Sequence, residues 1–127
     1  MINDLGLLFL RVGASALMIL GHGLPKILEF GQNAQSFPDP LNVGSKASLI
    51  LAIFGEAVCP LFVALGLKTR YASVPPLITM LVAAFIVHAG DSWNKMEFPL
   101  TYALLFFVIM FLGSGRFSAD HLFFKRG

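Results

Sequence analysis

The stretch 5–28, LGLLFLRVGASALMILGHGLPKIL, decides how the whole chain folds. It is long and apolar enough to cross a bilayer as one helix, which needs about 20 such residues. One face of this helix repeats at steps of three or four residues and carries Arg11, Ser15, Met18, His22 and Lys26. An arginine surrounded by lipid is energetically costly. This face is therefore expected to look into protein or a water-filled cavity.

The composition indicates a membrane protein. The chain has 127 residues, of which 57% are hydrophobic and only 13% are charged, whereas soluble domains have about 25% charged residues. The nine Lys and Arg residues are scattered between apolar runs, which argues against nucleic-acid binding because that function needs a clustered basic face. Cys59 is the only cysteine, so an intrachain disulfide is excluded. Residues 1–4 lack Lys and Arg, unlike a signal peptide, and the first helix is expected to be retained.

Four apolar segments predict an all-α fold, a four-helix transmembrane bundle in a single domain. They cover about residues 5–28, 47–67, 72–89 and 98–113. The tail 116–127 has a short helical pattern with basic residues, which predicts an interfacial C-terminal helix held at anionic headgroups. The loop 29–46 contains turn residues and several apolar ones, and it is expected to be either a lid over the bundle or a solvated linker.

The distribution of basic residues predicts the orientation. With four spans, both termini share a side with the turn after the second span. That side carries Lys68, Arg70, Arg116, Lys125 and Arg126, against Lys26, Lys46 and Lys95 on the other side. The positive-inside rule therefore places both termini in the cytoplasm, and the expected location is the bacterial cytoplasmic (inner) membrane.

Glu56 is the expected counter-charge for Arg11. Glu56 lies near the middle of the second segment. Arg11 lies about 8 Å from the centre of the first segment, toward the cytoplasmic side. A buried charge without a partner is strongly unfavourable, so the sequence predicts an Arg11–Glu56 ion pair. His22, Lys26 and His88 are expected in the outer half of the bundle. No haem or metal ligand motif is present, and no metal site is predicted.

Several short motifs, in order, resemble the DoxX family, and the likeness extends from Arg11 to about Leu122. They are RVGA at 11–14, HGLPK at 22–26, FPDPLNVG at 37–44, GE at 55–56, LGLKTR at 65–70, FIVHAGD at 85–91 and GSGRFS at 113–118. The resemblance implies a small four-helix integral membrane protein. Family members are associated with membrane oxidoreductase systems, including thiosulfate:quinone oxidoreductases and defence against oxidative or quinone stress. By position, the family's polar pattern falls on Arg11, His22, Lys26 and Glu56.

Three functions remain open. The first is a membrane subunit of a redox system, quinone-linked, that binds a small apolar ligand in a polar-centred pocket in the outer half of the bundle. The residues proposed for ligand binding or proton relay are Arg11, His22, Lys26, Glu56, His88 and Tyr102. No cofactor is implied as covalently bound, a quinone is the candidate, and electrons would come from a redox partner protein.

The second function is a transporter of protons or small solutes, suggested by ionisable residues and proline-broken helices inside the membrane. The third is a non-catalytic membrane anchor or assembly partner. Small residues on the helices would suit close packing within the chain or in a homo-oligomer. In all three cases the lipid bilayer is the primary partner.

Overall fold

The computed structural model describes residues 2–124 and shows four helices that are long and apolar enough to cross a membrane. These are α1 (Ile2–Leu28), α2 (Ser45–Leu65), α3 (Thr69–Val87) and α4 (Trp93–Leu112). A short helix, α5 (Ala119–Phe124), follows in the tail. The predicted all-α four-helix transmembrane bundle is therefore confirmed. Lys125 and Arg126, which were expected to hold the tail at headgroups, lie outside the described residues.

The four long helices form a closed bundle in which successive helices run in opposite directions. Each packs against its neighbour in the chain, and α1 also packs against α4. The start of α1, the α2–α3 turn and the tail meet at one end of the bundle, which we call the termini end. The segment 29–44, with a single helical turn at Phe30–Asn33, lies at the other end with the α3–α4 turn. We call this the loop end.

The core lies between the helices, and the outer surface is apolar. Met18, Val63, Phe106 and Ile109 are fully buried at the centre. Large apolar side chains such as Phe9, Leu104 and Phe111 point outward and are mostly exposed. In water an apolar outer surface of this extent would drive aggregation. Around a membrane bundle it faces acyl chains, so the surface pattern agrees with the apolar length of the helices.

The helix bounds differ from the predicted ones most at α4. The sequence predicted a start near residue 98, with Pro99 in the first turn, but α4 begins at Trp93 and contains Pro99 in its interior. Because proline lacks an N–H, it leaves the carbonyl of Lys95 without its helical partner. Lys95 is exposed near the end of the helix, where other groups can satisfy that carbonyl, so the helix continues through the proline.

Helix α3 also begins earlier than predicted, at Thr69, and the reason is tertiary. The Asp120 carboxylate accepts hydrogen bonds from the backbone N–H groups of Lys68 and Thr69, at 2.8 and 3.2 Å. A carboxylate at this position satisfies N–H groups that a helix start leaves free and interacts well with the helix dipole. The tail thus caps α3 and is attached to the bundle.

Three of the four long helices contain a wider, π-helical turn. These turns are Ile19–Gly23 in α1, Phe54–Val58 in α2 and Ala83–Val87 in α3. Such turns insert an extra residue into the helix and change which side chains face the neighbours. His22 lies in the first turn and Glu56 in the second. The π-helical turns therefore position the ionisable side chains of the candidate site.

Candidate functional site

A cavity of about 620 Å³ lies between α1, α2, α3 and the segment 29–44. Its wall is largely apolar, with residues such as Leu51, Phe54 and Ile78. Four ionisable residues also line it: His22, Lys26, Glu56 and His88. Small-molecule sites typically combine apolar walls with a few polar groups, and this cavity has that composition.

The polar wall of the cavity is built around Glu56. The Lys26 ammonium nitrogen (Nζ) lies 3.0 Å from the Glu56 Oε1 atom and 3.3 Å from the backbone carbonyl oxygen of His22. The His22 Nδ1 atom is 3.9 Å from the same Glu56 oxygen. The Glu56 side chain is only 4% exposed, against 21% for Lys26 and 37% for His22. The carboxylate is thus buried, while its two basic neighbours reach the cavity.

Close contact between α1 and α2 brings these groups together. Gly23 packs directly on the backbone of Glu56 and on the side-chain methyl group of Ala57. A Cβ atom built on Gly23 would lie 2.7 Å from the Ala57 Cβ atom, closer than such atoms pack. The absence of a side chain at Gly23 therefore lets α1 approach α2 at the level where His22 and Lys26 can reach Glu56.

Arg11 is not part of this cluster, and the predicted Arg11–Glu56 ion pair is wrong. The Arg11 guanidinium is fully buried near the termini end. It donates hydrogen bonds to the backbone carbonyls of Val63 and Ala64, at 3.0 and 2.9 Å, and also to that of Phe117. Val63 and Ala64 lie in the last turn of α2, where carbonyls lack the usual partner four residues on and the dipole favours a cation. The Val63 carbonyl also accepts a hydrogen bond from the Gly66 N–H, at 3.0 Å. The long side chain of Arg11 therefore extends toward that helix end instead of toward Glu56.

Tyr102 and His88 have separate positions around the cluster. The Tyr102 ring meets the His22 imidazole edge to face, with 5.2 Å between ring centroids, and so contacts the cluster through His22. The His88 Nδ1 atom lies 3.1 Å from the Asp91 Oδ2 atom at the loop end. The Asp91 partner was not predicted, although its position three residues after His88 in a turn is a signal that could have identified it.

The segment 29–44 covers the cavity at the loop end. Phe37, Pro38, Pro40 and Leu41 contribute to its wall. Asp39, between the two prolines, accepts hydrogen bonds from the Ser48 hydroxyl and from the N–H groups of Val43 and Gly44. The segment was expected to be a lid or a solvated linker, and its contribution to the cavity wall favours the lid interpretation.

Asp39 lies outside the membrane-spanning helices, and its hydrogen bonds affect its titration. The hydrogen bond from the Ser48 hydroxyl has the largest effect and lowers the pKa of the Asp39 carboxyl below its ordinary value. Desolvation opposes it with the second largest effect, and the bonds from Val43 and Gly44 lower the pKa further. The ionised carboxylate is therefore the form that holds the segment to the start of α2.

No group suited to a metal ion is found within the described part of the chain: residues 2–124 contain no cluster of three or more His, Cys, Asp or Glu side chains with suitable geometry. The one carboxylate in the cavity wall that is deeply buried is already paired with an ammonium group.

The fold and this cavity define a multi-pass membrane protein, a helical bundle with an ion-paired pocket. The sequence model of the DoxX family matches residues 6–89, and the chain belongs to the DoxX family. This confirms the resemblance noted in the sequence.

Two proteins of Haemophilus influenzae, both described as uncharacterized, are similar to the chain. One is 33% identical over 132 residues, which cover 94% of this chain and 92% of that protein. The other is 26% identical over 101 residues, which cover 76% of this chain and 67% of that protein. No solved structure matches the chain significantly. The printed descriptions of these relatives add no activity to the family assignment, which rests on the family model.

Proposed function

We propose that this protein is a membrane subunit of a redox system and binds a quinone in the cavity at the loop end. Membership of the DoxX family supports an association with redox systems. The observation that carries the proposal is the Lys26–Glu56 pair, with His22 beside it, on one wall of an otherwise apolar cavity. A quinone has a flat apolar ring with carbonyl oxygens at its edge, and these features match such a wall.

Each polar residue has a role in this proposal. The Lys26 ammonium and the His22 imidazole are hydrogen-bond donors for a quinone carbonyl oxygen, and both are partly exposed to the cavity. Glu56 holds Lys26 in position and is a proton carrier beside the ligand. Tyr102 supports the His22 ring through their edge-to-face contact. His88, paired with Asp91 on the cavity wall, connects the site to the loop end.

The electrons in this proposal come from a partner protein. Reduction of a quinone to a quinol consumes two electrons and two protons. A partner oxidoreductase would supply both electrons. One proton would pass from water through His22 and Glu56 to the ring oxygen at this wall, and the second would come from water to the oxygen at the opposite edge of the ring. This division of labour assigns ligand binding and proton transfer to this chain. Arg11 has a structural role instead, because it contacts backbone carbonyls at the opposite end of the bundle.

The orientation and location are also part of the proposal. The excess of basic residues at the termini end supports a cytoplasmic position for both termini in the bacterial inner membrane. The cavity would then lie in the outer half of the bilayer. A reporter that is active only in the cytoplasm, fused to either end of the chain, should be active. A reporter inserted after Ser92, in the exposed turn before α4, should be inactive.

The function is tested by the quinone content and quinone binding of the purified protein. We expect solvent extraction of protein purified from its native membrane to yield a quinone near one per chain. Lys26→Leu should lose the quinone, because the ammonium group that donates a hydrogen bond to the quinone carbonyl oxygen is removed. Lys46→Leu is the matched control, since Lys46 is exposed and lies outside the cavity wall. A wild-type protein that neither contains nor binds a quinone would refute the proposal.

A further inference from the structure

We infer that the ligand enters sideways from the lipid, through an opening between α2 and α3, and that it is a quinone with an apolar tail lying in this opening. The inference rests on the proposed function, since it takes the ligand to be a quinone. It adds the route of entry and the requirement for a tail. We call the opening the α2–α3 portal and define its edges by Leu51 and Phe54 on α2 and Ile78 on α3.

The side chains at the α2–α3 portal face both the cavity and the outside of the bundle. Leu51, Phe54 and Ile78 all line the cavity. They are also 52%, 47% and 53% exposed, which is similar to Ile50 and Phe85, two residues outside the cavity wall that are 50% and 57% exposed. Side chains as accessible as these lipid-facing neighbours are not covered by another helix. The cavity is therefore open between these two helices.

The α2–α3 portal lies at the depth of the acyl chains. Leu51 is six residues into α2 and Ile78 is nine residues before the end of α3. At a rise of about 1.5 Å per residue, these positions are about 9 and 13 Å below the loop end of the bundle. Its edges are apolar, so the opening connects the cavity with the hydrocarbon region of the membrane.

The helices close the cavity toward the termini end. Gly55 of α2 packs on Thr79 and on the backbone of Pro75 in α3, where an added Cβ atom would lie 3.2 Å from the Pro75 carbonyl oxygen. At the loop end, the apolar residues of the segment 37–41 cover the cavity and are held there by Asp39. Of these possible routes into the cavity, the α2–α3 portal is therefore the one whose walls are apolar at the depth of the acyl chains.

The positions of the polar and apolar groups determine how such a ligand lies. The Lys26–Glu56 pair contributes to the cavity wall from α1 and α2, whereas the α2–α3 portal is entirely apolar. A quinone ring with one carbonyl oxygen at Lys26 would direct its tail toward Leu51 and Ile78. A water-soluble quinone would leave the α2–α3 portal empty and lose those contacts.

The test compares two probes with the same ring, a tail-less dimethoxy-methyl-benzoquinone and its derivative with a decyl chain. Binding is measured to the full-length protein in lipid nanodiscs, with empty nanodiscs subtracted. Leu51→Trp and Ile78→Trp narrow the α2–α3 portal. Their matched controls are Ile50→Trp and Leu81→Trp, which change exposed neighbours outside the cavity wall. For each probe, the ratio of variant to wild-type affinity removes the difference in membrane partitioning.

We expect the two portal variants to weaken binding of the decyl probe about tenfold or more, the size of effect typical of overpacking. The controls should leave it unchanged, and the tail-less probe should bind all four variants within about twofold of wild type. Equal loss for both probes, or no loss for either, would overturn the inference and leave the proposed function standing. If neither probe binds the wild type, the proposed function itself fails. Leu51→Phe and Ile78→Phe replace any tryptophan variant that does not fold, and should show smaller losses in the same pattern.

Discussion

The Lys26 ammonium lies 3.0 Å from the Glu56 carboxylate and joins the loop end of α1 to the middle of α2. Glu56 is almost fully buried, and Lys26 is its nearest cation. Each charge of such a pair stabilises the other, because removing one partner leaves an uncompensated charge inside the protein. The pair is thus both the polar centre of the cavity and a constraint on helix packing.

Removing the cation alone is expected to destabilise the bundle. Lys26→Met leaves the Glu56 carboxylate buried without its partner, which should lower the free energy of unfolding by about 3 kcal/mol or more. The double variant Lys26→Met/Glu56→Gln removes both charges and should recover most of that loss. The measurement is reversible unfolding in lipid or mild detergent. A double variant as unstable as the sum of the two single variants would show that the groups act independently.

Close packing of α1 on α2 should make Gly23 intolerant of a side chain. Gly23→Ala places a methyl group against Ala57 and the Glu56 backbone, and should lower the free energy of unfolding by about 1–3 kcal/mol. Gly21→Ala is the control, because an added Cβ atom there meets nothing within 4 Å. It should be neutral or stabilise the helix by up to about 1 kcal/mol. Similar losses in both variants would contradict the packing argument.

Arg11 is expected to hold the tail, independently of Glu56. Arg11→Leu removes donors to two carbonyls of α2 and to Phe117, so the tail should open more often. Trypsin cleavage after the exposed Arg116 reports this opening, and its rate should rise about tenfold or more, since local opening determines access. Glu56→Gln should leave the rate at the wild-type value. Equal acceleration by both substitutions would instead indicate that Arg11 and Glu56 act together.

The segment over the cavity should loosen in acid. Because hydrogen bonds lower the pKa of Asp39 in the folded protein, its contribution to stability is fully present above the ordinary aspartate pKa of about 3.9. It is lost as the pH falls through the lower, folded pKa. Protection of the Val43 and Gly44 amides from hydrogen exchange, corrected for intrinsic rates, should decline in that range.

Two variants separate this effect from general acid unfolding. Asp39→Asn should have weakened protection of both amides at neutral pH, with little further change in acid. Asp91→Asn, at the other loop-end turn, should keep the wild-type profile. The hydrogen bonds to Asp39 would not be responsible if Asp39→Asn followed the wild-type curve.

Much of the fold was predictable because the membrane constrains a sequence strongly. A span needs about 20 apolar residues with its backbone hydrogen bonds satisfied within the helix, so four apolar segments predicted four helices. Helical periodicity also predicted that His22 and Lys26 share a face. The start of α4 at Trp93 was not predicted, because a proline such as Pro99 is compatible both with a helix that begins at the proline and with one that begins a turn earlier. The start at Thr69 depends on Asp120, which is 51 residues away in the chain.

The sequence by itself determined the membrane environment, the number of spans and the residue types of the site, because these follow from local composition and helical period. Only the tertiary structure decided which cation meets Glu56. Arg11 and Lys26 lie on one face of α1, and both have side chains long enough to reach up or down a turn. The carbonyls in the last turn of α2 accept hydrogen bonds from Arg11, and contact at Gly23 brings Lys26 to Glu56. Contacts between helices therefore set the pairing, which periodicity alone does not specify.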